Sequence, residues 1–140
     1  MKQAYFIVAN SAHVFPGAKM VIVGTFDTIY AKAVPFMFEP LGVAVRLYAD
    51  RAEEGKEYEG VLRLQKAGGK NPTFEMNVAF GFPESEGEAP SSALLALMIG
   101  PLRFEEEGHY VFEILVDKKP VAWTDLYVRV REEPSGQGNP

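Results

Sequence analysis

The chain holds two histidines, His13 and His109, the side chains best suited to move protons or ligate metal near neutral pH. Neither has a carboxylate or a second histidine at a metal-ligand spacing. His13 is expected in a loop and His109 beside a strand start, both in surface or structural roles. Nucleophilic chemistry finds no better support. No serine lies in a Gly-x-Ser-x-Gly context, and the absence of cysteine removes thiolate catalysis, disulfides and Cys-ligated zinc.

Phosphate and metal binding can be read in the same way. Ala67-Gly68-Gly69-Lys70 carries a lysine after two glycines, but no Ser or Thr follows and no helix begins there, so it reads as a hairpin loop. The clusters Glu84, Glu86, Glu88 and Glu105-Glu106-Glu107 offer oxygens of the kind Ca²⁺ takes. They lack Asp and Asn, and a solvated loop is the simpler reading. Asp27, just after Gly24 and Phe26, is expected to accept hydrogen bonds within a turn. No catalytic residue, cofactor or metal site is assigned.

Aromatic and arginine side chains are the remaining candidates. On strands with alternating pattern, Arg46 and Tyr48 point opposite to Val45 and Leu47, and Tyr127 and Arg129 opposite to Leu126 and Val128. Together with Val111 and Leu115 they are expected to form one outward face for a partner, since aromatics and Arg are enriched at interfaces. The lone Trp123 suggests a platform for stacking sugars. A two-residue turn in the last hairpin, however, places it inward against Phe112 and Ile114.

These side chains need strands to position them. Period-two alternation recurs in Ala4–Ala9, Met20–Tyr30, Leu41–Asp50, Tyr58–Gln65, Phe74–Phe82, Tyr110–Val116 and Val121–Val130, broken by Gly, Pro, Asp and Asn. Pro35 and Pro40 bracket a further extended segment. Ala93–Ile99 is a continuous apolar run, read as a strand because its neighbours are strands. In the last segment the apolar phase changes from Trp123 to Leu126, Val128 and Val130, and a bulge near Thr124-Asp125 is the expected cause. Residues 83–92 read as a long exposed loop and 132–140 as a disordered tail.

Length and composition agree with one folded domain over residues 1–131. The 140 residues are 47% hydrophobic, and 10 Pro and 13 Gly favour many short elements joined by turns. A domain of this size buries roughly 70% of its unfolded surface and needs no staple. The 14 basic and 19 acidic side chains leave a net charge of −5, and the cations are scattered, which argues against nucleic acid. No apolar run approaches a membrane span. A cytoplasmic location is the default. The fold class expected is all-β, an antiparallel sandwich of about eight strands.

Two resemblances extend this reading. The closing segment, with Phe104, Gly108, Tyr110, Phe112, Ile114, Val116 and Asp117 at their spacings, resembles the last hairpin of immunoglobulin-like β-sandwiches. That likeness implies a tyrosine corner at Tyr110, although the Cys pair of antibody domains is absent. The strand Ala4–Ala9, the stretch Val23-Gly24-Thr25-Phe26-Asp27-Thr28-Ile29-Tyr30, the strand Val43–Leu47 and Gly108-His109-Tyr110 resemble a family of short uncharacterised bacterial proteins. The likeness spans about residues 1–130 and implies no activity. The expectation is a non-catalytic module that binds a protein partner or a second copy of itself. The alternative is a sandwich that binds a small ligand or carbohydrate through Trp123, Tyr127, Tyr48 and the acidic loops.

Overall fold

Each alternating run forms a strand because one set of side chains leaves water while the other keeps it. The computed structural model describes residues 1–131, so the tail expected over 132–140 lies outside the described residues. In chain order the strands are β1 (Lys2–Phe15), β2 (Lys19–Thr25), β3 (Thr28–Ala31), β4 (Phe36–Phe38), β5 (Leu41–Tyr48), β6 (Glu57–Lys66), β7 (Phe74–Gly81), β8 (Ser92–Ile99), β9 (Leu102–Phe104), β10 (Gly108–Val116) and β11 (Lys119–Val130). A single 3-10 turn, Arg51–Glu53, links β5 to β6. The all-β expectation holds.

Eleven strands replace the expected eight or so. The segment between Pro35 and Pro40 and the stretch after Pro101 become the short ribbon β4–β9, and the run Met20–Tyr30 splits at Phe26-Asp27 into β2 and β3. The strands form a four-stranded sheet, β2-β1-β5-β8, and a five-stranded sheet, β3-β11-β10-β6-β7. Every pairing is antiparallel except β3 with β11. A core of Val43, Val45 and Leu47 from one sheet and Leu62, Phe112 and Leu126 from the other lies between the layers. Phe6 and Phe112 meet across it with ring centroids 6.1 Å apart.

β1 is longer than its sequence suggests. Asn10 interrupts the apolar run but not the strand, which continues to Phe15, so His13 is a strand residue opposite Val21 rather than a loop residue. Past Ala9 the β1–β2 hairpin leaves the sheet plane. Gly24, opposite Asn10, takes φ +69°, a left-handed conformation that L side chains rarely adopt. The backbone of Ser11 and Ala12 then lies on the outward side of Gly42, where a Cβ would sit 2.6 Å from the Ala12 nitrogen. Gly42 is buried there, and Ala44, which also points away from the core, has no exposed surface.

The 3-10 turn carries the clearest electrostatic tie. Glu53 Oε1 accepts the Asp50 N–H at 2.9 Å, and the Met1 amino group donates to Glu53 Oε2 at 2.8 Å. Burial opposes ionisation of Glu53, but the hydrogen bonds from the Met1 amino group and Asp50 outweigh it and hold the carboxyl below its ordinary value of 4.5. A depressed carboxylate stabilises the fold above its unfolded-state value, and that contribution disappears as pH falls through the folded value.

Two outcomes are expected. Gly42→Ala forces a methyl into backbone, so it should destabilise by about 1–3 kcal/mol and lower Tm by roughly 4–10 °C, read by thermal denaturation. Glu53→Gln should be less stable than the wild type at pH 7, and the gap should close as the solution is acidified through the carboxylate range. A constant gap across that range would show that Glu53 acts by packing alone.

Candidate functional site

The final hairpin decides which side chains face water. Asp117 and Lys118 both take positive φ, 51° and 66°, as a two-residue turn of the primed type requires. Without further adjustment this turn would set Trp123 opposite Phe112, as expected from sequence. The ladder slips by one residue at once: Leu115 pairs with Pro120, whereas Ile114 pairs with Ala122. Val121 is the extra residue. Pro120 has no ladder N–H, and bulges are among the few places a sheet accepts proline.

The bulge therefore lies beside the turn and not at Thr124-Asp125. From Ala122 onward the phase is unbroken, with Ala122, Leu126 and Val128 buried. Trp123 consequently faces solvent and is 55% exposed, which overturns its expected place against Phe112 and Ile114. Its backbone N–H donates to Gln3 Oε1 at 2.8 Å, tying β11 to the start of β1.

The outer face of the five-stranded sheet can be followed row by row. Trp123 pairs with Glu113, Glu113 with Arg63 and Arg63 with Glu75, in one line across four strands. Arg63 Nη2 reaches Glu113 Oε2 at 3.3 Å in a partly shielded pair. Two rows on, His109 stands opposite Tyr127 with the rings stacked at 4.9 Å. His109 Nε2 lies 2.6 Å from Asp125 Oδ1. Arg129 follows beside Tyr30, whose ring is capped by the Arg131 guanidinium at 3.7 Å. Tyr127 is 40% exposed.

An open concavity of about 710 Å³ continues this face under the β10–β11 turn, bounded by Glu59, Val61, Arg63, Glu75, Asn77 and Leu115. It shares Arg63 and Glu75 with the Trp123 row, and the two together make one open surface on this sheet.

The expected four-residue face does not exist as one surface. Tyr127 and Arg129 lie on β11 with Val111 and Leu115 beside them on β10, as expected. Arg46 and Tyr48 lie on β5, on the outer side of the opposite sheet, where the Arg46 guanidinium sits 5.1 Å from the Tyr48 ring centroid. Alternation tells which way a side chain points from its own sheet. It does not tell which of two sheets that is.

The other candidates fall apart in space. Asp27 accepts the Thr28 hydroxyl at 2.8 Å, and its carbonyl takes the Tyr127 N–H, so it holds the β2–β3 bend against β11. Glu105 pairs with Arg103, Glu106 with Lys66, and Glu107 accepts the Val130 N–H, three separate partners for three neighbouring acids. Glu84, Glu86 and Glu88 lie in the exposed loop between β7 and β8. Ala67–Lys70 is the β6–β7 hairpin loop. Tyr110 donates its hydroxyl to the Glu106 carbonyl at 2.5 Å, the backward bond expected of that residue.

The sequence pattern of a recognised family matches residues 4–129, from the first strand to the last. This chain belongs to DUF6941, a family of unknown function. The DUF6941 match covers most of the outer face just described, Trp123 and Tyr127 included, but not Arg131. No curated protein and no solved structure matches the chain. Among the described residues no helix is long and apolar enough to cross a membrane.

The His109–Asp125 contact, 16 residues apart in sequence, was not anticipated. Its only signal is the hairpin register, and it emerges once the bulge is placed at Val121. Two outcomes follow from this geometry. Trp123 emission should be red-shifted and readily quenched by acrylamide in the folded protein. Tyr110→Phe, which removes one hydroxyl bond beside the core, should cost about 1 kcal/mol by chemical denaturation.

Proposed function

We propose that this DUF6941 protein is a non-catalytic binding module that docks a protein partner on the outer face of its five-stranded sheet, centred on Trp123. The observation that carries the reading is the exposure of Trp123 and Tyr127 on one face, beside the Arg63–Glu113 ion pair and the His109–Asp125 contact. A face whose Arg63–Glu113 and His109–Asp125 pairs are formed in advance loses little freedom on association. Its aromatics bring large apolar area, and Trp and Tyr recur among the residues that dominate interface energies. The immunoglobulin-like description of the sandwich belongs to the same proposal, and the Tyr110–Glu106 bond supports it.

The exposed indole also favours a second reading, in which Trp123 stacks on a sugar ring. The two readings separate experimentally. Affinity capture with the wild type should retain a protein that Trp123→Ala and Tyr127→Ala lose, with a purified partner bound about 30-fold more weakly by the Trp123 variant. Both variants should melt within a few degrees of the wild type, because the side chains are exposed. Binding of a glycan array that depends on Trp123, with no protein retained, would replace the first reading by the second. Capture unaffected by either substitution would reject the face altogether.

A further inference from the structure

The β1–β2 hairpin exposes apolar surface on the opposite sheet from Trp123. Val14, Phe15 and Val23 are 43%, 53% and 54% exposed. β2 pairs with β1 from Lys19↔Phe15 to Thr25↔Ala9, and it is the outermost strand of its sheet, so its other edge has no strand partner among the described residues. Such an edge presents a row of unmatched N–H and C=O groups to any extended chain. Proteins usually blunt it with an inward charge, a proline or a very short strand. β2 uses none of these over Met20-Val21-Ile22-Val23.

The remaining sheet edges are better guarded. β3 has four residues, and β7 carries Glu75 and Asn77 on its outer side. β8, the other edge of the same sheet, approaches β7 of the facing sheet. Met20, Val21 and Ile22 are half-buried and Val23 is exposed, so part of β2 meets solvent.

We propose that β2 is a self-association edge, along which two copies pair β2 with β2 antiparallel to form one continuous sheet of eight strands, four from each copy. Charge selects this occupant and this direction. The strand's one charge, Lys19, stands at its first residue, and the exposed Asp27 lies two residues past its last. An antiparallel two-fold brings each Lys19 toward the Asp27 end of its partner, whereas parallel pairing would set Lys19 beside Lys19. Antiparallel edge pairing is also self-complementary about a two-fold axis, as a closed dimer requires. Val21, Ile22 and Val23 of the two copies then meet at the centre. The inference is independent of the Trp123 face.

The absence of cysteine makes the test direct. Facing residues on antiparallel strands have Cα atoms about 4.5–5.5 Å apart, within disulfide reach. Sedimentation of the full chain should give twice its 15.5 kDa mass. Under mild oxidation at least one of Val21→Cys, Ile22→Cys and Val23→Cys should cross-link two chains, while Met37→Cys, 56% exposed on distant β4, should not. Val23→Lys should yield a folded monomer, judged by circular dichroism. Trp123→Ala should leave the dimer intact, so this inference and the partner-binding reading can fail separately. A wild-type monomer at about 100 μM, where even a weak specific dimer is populated, overturns the proposal. So does a dimer that survives Val23→Lys and cross-links at none of the three positions, or a monomer whose β2 edge takes up a different protein.

Discussion

Facing apolar sides of two sheets, with strands of period two, are the constraint on which the rest of this molecule depends. Once Val43, Val45 and Leu47 close on Phe112, Ile114 and Leu126, the residues between them have no choice of direction. Glu113 must leave the core because Phe112 and Ile114 enter it, and Arg63 must leave because Leu62 and Leu64 do. The paired charges on the outer face are thus a by-product of core packing. Their partners are set by strand register, and the same register brings His109 onto Tyr127.

Two local departures from ideal pairing do most to shape the surface. The bulge at Val121 changes the face of every later residue in β11 by one step, which moves a tryptophan from core to solvent at the cost of one unpaired backbone unit. The fold of β1 over Gly42 has the opposite effect on the other sheet, where it covers the outward side of β5 at Gly42 and leaves β2 as the outermost strand. One surface gains an aromatic platform and the other gains a bare strand edge. The platform carries the Arg63–Glu113 and His109–Asp125 contacts and the edge has its backbone unmatched, so the two surfaces present different chemistry to whatever approaches them.

Membership in DUF6941 extends from β1 to β11 and so includes both surfaces, although the family carries no assigned activity. Trp123 and Tyr127 keep large apolar area in water, which burial against another surface would remove. Trp123, Tyr127 and Val23 are each replaceable by polar residues without harm to the core, since none of them lies in it.

Most strand positions and facing sides, the β6–β7 and β10–β11 hairpins and the exposed loop before β8 were legible in the sequence, because alternation and turn residues are local signals, whereas β9, the far half of β1 and the outward side of Trp123 were not. The Tyr110 bond, which spans four residues, was expected from the resemblance of the closing segment to immunoglobulin-like sandwiches. Tertiary structure alone decided which sheet each strand joins, and with it the separation of Arg46 and Tyr48 from Tyr127 and Arg129. It also decided the length of β1, since Asn10 interrupts a hydrophobic run without interrupting hydrogen bonds. The place of the bulge was undetermined for a physical reason: a bulge at either position restores the inward phase of Leu126 and Val128, and only the pairing of Ile114 with Ala122 distinguishes them.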